Sequence, residues 1–259
     1  MAEGILQPVA NAAIYPSLAG KKVIVSGGAS GIGEGIVEGF VRQGSAVAFV
    51  DVLERETLTS RFADAAIPPI FVHCDIRDCV DYGAKIGKLI DRLGGCDVLI
   101  NNAANDDRHT VDEVTPEYWD ERMAVNLKHQ FFAAKAVRPA MHEAGGGSIV
   151  NLGSISWHLG LPDLTIYQTA KAAIEGLTRS LAREWGRENI RVNAIIPGNV
   201  QTPRQMKWYT PEGEAEIVAQ QCLDGRIQPR DVAALALFLA SDDARYCTGH
   251  NYWVDAGWR

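Results

Sequence analysis

Short runs of β-branched and other apolar residues alternate with helical patterns along almost the whole chain. The runs predict strands at residues 22–26, 46–50, 70–73, 98–100, 148–151, 190–195 and 252–254. Helical patterns fill the gaps, and the two longest cover about 116–141 and 165–185. Alternation at this spacing predicts a parallel sheet with helices on both faces. We therefore expect one doubly wound α/β domain.

Two segments fall outside this alternation. Residues 1–19 are mostly small and are interrupted by proline, which predicts a flexible lead-in to a single domain at 20–259. The segment at about 197–213 has little periodicity and contains Trp208 and Tyr209. A long irregular segment in a compact domain is commonly a binding loop, although a surface loop without a role is the alternative.

Composition argues against several classes of partner. The net charge of −7 argues against nucleic acid or an anionic membrane, and no stretch approaches the ~18 unbroken apolar residues of a transmembrane helix. The five cysteines form no C-x-x-C pair, and the N-terminus does not resemble a signal peptide. A reduced, cytoplasmic chain is therefore predicted. The six histidines are scattered, so no metal site is expected.

A glycine-rich stretch follows the first predicted strand and opens a helix: Gly27, Ser30, Gly31, Ile32 and Gly33. Such a turn lets backbone N–H groups approach a pyrophosphate at the helix N-terminus. Asp51 ends the second strand, where a carboxylate accepts hydrogen bonds from adenosine ribose and repels a 2′-phosphate. This favours NAD, with NADP as the weaker alternative. Asp51 could equally be a helix cap or turn residue, or serve both roles.

Two further strands end in polar residues, which belong at the ligand-binding edge of an open α/β sheet. Asp75 and Ile76 follow the third strand, where the carboxylate could meet an adenine amino group. Asn102, Ala103 and Ala104 follow the fourth. An ordinary turn is the alternative for the asparagine.

Tyr167 and Lys171 are four residues apart in a helical pattern, so they share one face of the helix. An ammonium group close to the tyrosine would stabilise the phenolate and lower its pKa, which makes the pair a candidate acid/base. Taken alone, the pair fits an ordinary surface helix better. Ser154, twelve residues before Tyr167, and the glycine stretch shift the interpretation towards catalysis.

In combination these features resemble the short-chain dehydrogenase/reductase family, from about residue 18 to the C-terminus. The stretch at 191–198 is a further match. The resemblance implies a Rossmann-like fold and an NAD cofactor. It implies that Tyr167 is the general base, that Lys171 lowers its pKa and holds the nicotinamide ribose, and that Ser154 bonds the reacting oxygen.

The same resemblance implies that Asn126 binds a water linking Lys171 to solvent, although a lone helix asparagine more often faces water. It adds five cofactor contacts: Val125, Pro197, Gly198, Val200 and Thr202. It also implies a homotetramer that forms through the two long helices.

Segments 105–109, 154–160, 199–214 and 248–259 are similar to bacterial NAD-dependent sugar dehydrogenases. That similarity implies oxidation of an aldopentose, D-xylose or L-arabinose, at C1 to the aldonolactone. The expected substrate contacts are Asp106, Ser154, Ser156, Tyr167, Asn199, Gln201 and Trp208.

Two alternative functions remain. An enzyme of the same fold could act on another sugar, a ketone or a 3-oxoacyl thioester, but Asp51 and the polar, Trp-bearing segments argue against the last two. A binding protein without catalysis is the other alternative. It predicts a damaged Ser/Tyr/Lys set, and here the set is complete.

Overall fold

A computed structural model describes residues 12–54, 60–207 and 209–259. These residues form a seven-stranded parallel sheet: β1 Lys22–Ser26, β2 Ala46–Asp51, β3 Ile70–His73, β4 Val98–Asn101, β5 Gly147–Leu152, β6 Ile190–Pro197 and β7 Asn251–Val254. The strand order is β3-β2-β1-β4-β5-β6-β7. The predicted doubly wound α/β fold and its strands are confirmed.

Helices cover both faces of this sheet: α1 Gly31–Arg42, α2 Cys79–Leu93, α3 Pro116–Met123, α4 His129–Glu143, α5 Ser156–Leu159, α6 Thr165–Trp185, α7 Pro211–Ala219 and α8 Pro229–Ala240. Val23 and Val25 of β1 share a core with α1 and α8, whereas Ile24 shares the opposite core with α2, α4 and α6. Because successive side chains of a strand point to opposite faces of the sheet, β1 contributes to both cores. None of the helices within the described ranges is long and apolar enough to cross a membrane.

The predicted helix at 116–141 is built from three consecutive pieces. α3 leads into a π-helical turn, Ala124–Lys128, which continues as α4 to Glu143. Such turns are rare and occur frequently at functional sites. Asn126 lies in the middle of this one. The helix predicted at 165–185 is confirmed as α6.

The structure corrects the bounds of the two irregular segments. Residues 1–11 of the lead-in lie outside the described ranges, but Leu18 is fully buried and its carbonyl accepts a 2.7 Å hydrogen bond from the Ser45 hydroxyl. The prediction of a flexible segment is therefore wrong near Leu18, because that side chain joins the core of α1 and α8. The irregular segment after β6 ends where α7 begins, at Pro211, with the Thr210 hydroxyl accepting from the Gly213 N–H.

The strand order creates a crevice at one edge of the sheet. β1 pairs with β2 on one side and with β4 on the other, so the chain switches sides at this point. Ser26 at the end of β1 is in register with Asn101 of β4, which is in register with Asn151 of β5. Ligands of open α/β sheets bind outside the carboxyl ends at such a switch point.

Candidate active site

The glycine loop between β1 and α1 is packed so tightly that side chains would not fit. Gly27 has a φ of +69°, and a Cβ there would lie 2.8 Å from the Cα of Ala103. A Cβ on Gly33 would lie 1.9 Å from the Gly27 carbonyl oxygen. Ser30 is the N-cap of α1, but its side chain makes no capping hydrogen bond, so it leaves the first N–H groups without that partner. This geometry suits a pyrophosphate.

The Asn102 side chain holds the glycine loop in place. Its Nδ2 donates to the backbone carbonyls of Ser26, at 3.1 Å, and Gly27, at 2.9 Å. In return the Ser26 hydroxyl accepts the N–H groups of Asn102 and Ala103 at 3.1 and 3.2 Å. Asn102 therefore fixes the wall of the crevice as well as lining it.

Asp51 makes the turn contacts expected of it and also lines the crevice, while its contact with a ribose remains a prediction. Its Oδ2 accepts the N–H of Ala29 and its Oδ1 that of Leu53, each at 2.9 Å. The residue is 9% exposed and lines the crevice. Because a carboxylate has about four acceptor positions, two remain for ligand hydroxyl groups.

A cleft of about 650 Å³ runs along the carboxyl edge of the sheet. Most of the predicted cofactor residues line it: Gly27, Ser30, Gly31, Ile32, Asp51, Asp75, Ile76, Asn102, Ala103, Ala104, Val125, Tyr167 and Thr202. Gly33 packs behind the loop, and Lys171 is buried with 2% exposure. Pro197, Gly198 and Val200 line a smaller adjoining cavity instead.

Ion pairs cross the wall of this cleft. Asp75 pairs with Arg77 at 2.5 Å, and Arg77 reaches Glu121 at 2.8 Å. The hydrogen bonds from Arg77 lower the pKa of the Asp75 carboxyl, which is partly buried. An adenine contact by Asp75 would therefore use a carboxylate that is already ion-paired.

Ser154 and Tyr167 meet where the cleft joins the smaller cavity. The Ser154 Oγ accepts the N–H of Ser156 at 3.1 Å, and its hydroxyl lies 3.0 Å from the Ser156 Oγ, to which it donates. Burial raises the pKa of the Tyr167 hydroxyl, the Asp106 carboxylate raises it further, and hydrogen bonding with Ser154 lowers it. The net direction is upward.

Lys171 is held one turn further along α6. Among the described residues, its Nζ donates to the Leu152 carbonyl at 2.7 Å, and it lies 5.4 Å from the Tyr167 ring centroid. Burial lowers the pKa of the Lys171 ammonium to about 8. The resemblance implied that Lys171 lowers the pKa of Tyr167. The ammonium binds the Leu152 carbonyl and burial is the largest influence on the Tyr167 pKa, so this role of Lys171 remains a prediction.

Asn126 is fully buried, so the alternative that it faces solvent is wrong. Its Nδ2 donates to the carbonyls of Asn105 and Arg122, both at 3.0 Å, and its Oδ1 accepts the Asn105 N–H at 2.9 Å. The side chain thus ties the π-helical turn to the loop after β4. Its contact with a water remains a prediction.

The smaller cavity, of about 170 Å³, lies beside Ser154 and Tyr167. The predicted substrate residues Asp106, Ser156 and Asn199 also line it. The Asn199 amide is already engaged, because its Nδ2 donates to the Tyr209 hydroxyl and its Oδ1 accepts from Arg226, each at 2.7 Å. Asn199 therefore shapes the wall more than it offers free polar groups.

Two predicted substrate residues are not placed in this cavity. Trp208 lies outside the described residues. Gln201 is not among the residues that line this cavity, whereas its neighbours Val200 and Thr202 are, so its contact with the substrate remains a prediction. The Gln201 amide instead accepts from Gln228 at 2.7 Å.

Asp106 lines both the cleft and the smaller cavity. Its Oδ1 accepts from Arg204 Nε and its Oδ2 from Gln205 Nε2, each at 2.8 Å. Arg204 also reaches Asp107 at 2.7 Å. These contacts connect the loop after β6 with the loop after β4 over the junction of the two cavities.

Sequence reasoning missed several residues of the cavity wall: Arg108, Leu159, Leu161, Leu164, Gln205, Tyr209 and Trp258. All but two of them, Leu161 and Leu164, fall within the segments that resemble sugar dehydrogenases. Those segments were a signal for the region, but nothing in them marked which side chains turn inward.

The site as a whole can move a proton at a hydroxyl group held between Ser154 and Tyr167. The adjoining cleft has room for an extended, phosphate-bearing cofactor. No group of three or more His, Cys, Asp or Glu side chains in the described ranges is arranged to hold a metal ion. The fold and site therefore define a dinucleotide-dependent oxidoreductase.

A family model described as "Enoyl-(Acyl carrier protein) reductase" matches residues 27–259. The chain belongs to the short-chain dehydrogenase/reductase family. Its members use a nicotinamide cofactor, and the glycine loop, the uncapped N-terminus of α1 and Asp51 fit such a group.

Relatives of known function lie within the same family. The chain is 57% identical to D-xylose 1-dehydrogenase of Caulobacter vibrioides over 96% of this chain and 100% of that protein. It is 44% identical to a probable galactose dehydrogenase of Rhizobium meliloti, over 94% and 96% of the two chains. Among solved structures, a putative short-chain alcohol dehydrogenase from Sinorhizobium meliloti matches with a TM-score of 0.89 and 31% identity, covering 94% and 98%.

Proposed function

We propose that this protein oxidises an aldopentose at C1, with D-xylose as the preferred substrate and NAD as the acceptor. One observation carries the proposal: the wall of the cavity beside Ser154 and Tyr167 includes the Asp106 carboxylate, in a chain 57% identical to a D-xylose 1-dehydrogenase. A pocket with fixed polar groups rejects ligands that cannot pair with them.

The reaction removes a proton and a hydride from the same carbinol group. Tyr167 takes the proton of the anomeric hydroxyl, and the Ser154 hydroxyl turns from Ser156 to donate a hydrogen bond to the reacting oxygen. A bound nicotinamide ring supplies the hydride acceptor for the hydrogen on C1. Lys171 holds a positive charge near the tyrosine ring, which favours the phenolate when the proton is transferred. The product is the cyclic aldonolactone, which water then opens.

The preference for NAD rests on charge at the end of β2. The Asp51 carboxylate would repel a 2′-phosphate, and Val52 and Leu53 beside it in the cleft are uncharged. Arg61, a cation near α1, is already engaged by Glu34 and Glu38 at 2.8 and 2.9 Å. These features support NAD, with NADP as the weaker alternative.

L-Arabinose is the second candidate substrate, and galactose the third because of the 44% identical relative. Another sugar, a ketone or a 3-oxoacyl substrate is the alternative function.

An assay of the purified protein with NAD and each compound distinguishes these candidates. Turnover is followed by the absorbance of reduced nicotinamide. D-Xylose should turn over, 1-deoxyxylose should not, and the lactone should be trapped by hydroxylamine. Turnover of ketones or acyl substrates without turnover of pentoses would contradict the proposal.

The same proposal includes a cytoplasmic homotetramer. Phe131 and Phe132 on α4 are 41% and 36% exposed, which supports burial of this helix against a second copy. All five cysteines are unpaired, which supports a reducing compartment. Light scattering of Phe132→Glu beside the wild type tests the assembly, and the substitution should reduce the particle mass.

A further inference from the structure

The catalytic helix α6 begins without a cap of its own. Its N-cap position is Leu164, whose side chain offers no acceptor. The first N–H groups of a helix have no partner within the helix and need one from elsewhere. In α6 the N–H of Ile166, the residue before Tyr167, donates to Nε2 of His109 at 3.2 Å. The acceptor therefore comes from a residue 57 positions earlier in the chain.

His109 is held rigidly in the position that makes this contact. The residue is 6% exposed, and its ring centroid lies 5.2 Å from that of Tyr118. Its backbone N–H donates to the Asp163 carbonyl at 3.0 Å. Its Nδ1 lies 3.2 Å from the Tyr118 hydroxyl and 3.3 Å from the Asp107 carbonyl. Because Nε2 accepts a hydrogen bond, the imidazole is neutral and carries its hydrogen on Nδ1.

The other end of the same loop reaches a second functional residue. We call residues 105–109 the strap. Its first residue, Asn105, exchanges two hydrogen bonds with the Asn126 side chain, at 2.9 and 3.0 Å. Its second residue, Asp106, lines the cavity beside Tyr167. The strap thus joins the π-helical turn to the start of α6, and His109 is its anchor on the tyrosine side.

We propose that His109 is a positioning residue for Tyr167, acting as the missing N-cap of α6 and fixing the tyrosine hydroxyl beside Ser154. The inference deepens the proposed function, because it concerns how the same site achieves its rate. Its chemistry is that of a neutral acceptor at a helix N-terminus, where a side-chain acceptor satisfies an otherwise orphaned N–H. A tyrosine displaced by about 1 Å loses roughly a hundredfold in rate.

The decisive comparison is between His109→Gln and His109→Met. Both side chains are similar in length, but glutamine carries a strong oxygen acceptor near the position of Nε2, whereas the methionine sulfur accepts only weakly. We expect the methionine variant to lose about 10- to 100-fold in kcat, while the glutamine variant retains at least about tenfold more. The KM for sugar and the Kd for NADH should change little in either. Melting temperatures are measured alongside.

The proposal would be overturned if the kcat values of the two variants agreed within about twofold at matched melting temperatures. It would also be overturned if the substitutions changed only the KM. If the methionine variant does not fold, His109→Asn replaces it, because the shorter amide reaches the position of Nδ1 but not Ile166. The rate should then fall in the asparagine variant and not in the glutamine one. Each variant's kcat is divided by that of the wild type on the substrate that the wild type oxidises. If the wild type does not oxidise pentoses, the proposed function fails, but the comparison of the His109 variants can still be made.

Discussion

The Asp106 carboxylate lies close enough to Tyr167 to raise the pKa of the tyrosine hydroxyl, although Arg204 and Gln205 bind both of its oxygens. The enzyme therefore places a negative charge beside the group that must itself become negative. A carboxylate at this position opposes deprotonation of Tyr167.

Removing that charge should move the pH profile. In Asp106→Asn the pKa of Tyr167 should fall, because the carboxylate that raises it is gone. The ascending limb of kcat, measured at saturating sugar, should shift to lower pH. Asp107→Asn is the matched control, since Asp107 also binds Arg204 but does not act on Tyr167. A limb that stays in place or rises in Asp106→Asn would exclude this electrostatic role.

Substitutions of Tyr167 and of Lys171 should have different effects on turnover and NADH binding. Tyr167→Phe should lower kcat by about 100-fold or more, the size expected for loss of a general base, with NADH binding nearly intact. Lys171→Met should weaken both turnover and NADH binding. It should also lower the melting temperature, because the buried Leu152 carbonyl loses its donor, at a cost of about 1–3 kcal/mol. Substantial turnover by Tyr167→Phe would rule out the tyrosine as base.

Asp51 should control the choice of cofactor. Asp51→Asn removes the charge while one oxygen still accepts a backbone N–H, so the fold of the glycine loop should survive. We expect the ratio of kcat/KM for NADP to that for NAD to rise by about tenfold or more. Asp75→Asn provides the comparison, because its charge is paired with Arg77 and should affect the ratio less. A ratio that Asp51→Asn leaves unchanged would contradict the assignment.

His129 should make the fold sensitive to acid. Burial, together with the charge of Lys171, lowers the pKa of this histidine from 6.5 to about 3. Below pH 6.5 the unfolded chain binds a proton that the folded chain excludes, so stability should be lost progressively from about pH 6.5 towards pH 3.

Urea unfolding at several pH values tests this dependence. His129→Leu should show a smaller decrease in the free energy of unfolding between pH 7 and pH 5 than the wild type. His142→Leu, at a side chain that is 67% exposed, should leave the decrease unchanged. Equal pH dependence in wild type and His129→Leu would show that this histidine does not carry the effect.

Local sequence patterns were sufficient for the sheet and the glycine loop. β-Branched runs identify buried strands, and a glycine cluster after a strand needs no distant information to be interpreted. The same applies to the helix carrying Tyr167 and Lys171, because their spacing fixes their common face. Ser154 was singled out by its position twelve residues before Tyr167, whereas Asn126 was named only through the family resemblance.

Contacts between segments that are distant in the chain could not be predicted from such local patterns. Gln201 was assigned to the cavity because it lies in the segment after β6, but the bridge between Val200 and Ile227, which local patterns do not reveal, fixes the backbone of this segment. The cap that His109 provides to α6 joins segments far apart in the chain. The shift of the Tyr167 pKa is also set by burial, which no spacing reveals.

The strap has a consequence for how enzymes of this shape can diverge. One wall of the sugar cavity is the strap, whose hydrogen bonds to Asn126 and Ile166 also support the catalytic groups. Within the described part of the chain, Tyr209 and Trp258, which also line this cavity, make no hydrogen bond to Asn126, Ile166 or the strap. Substitutions on that side should therefore change sugar preference with little loss of rate. Substitutions along the strap should lower the catalytic rate as well.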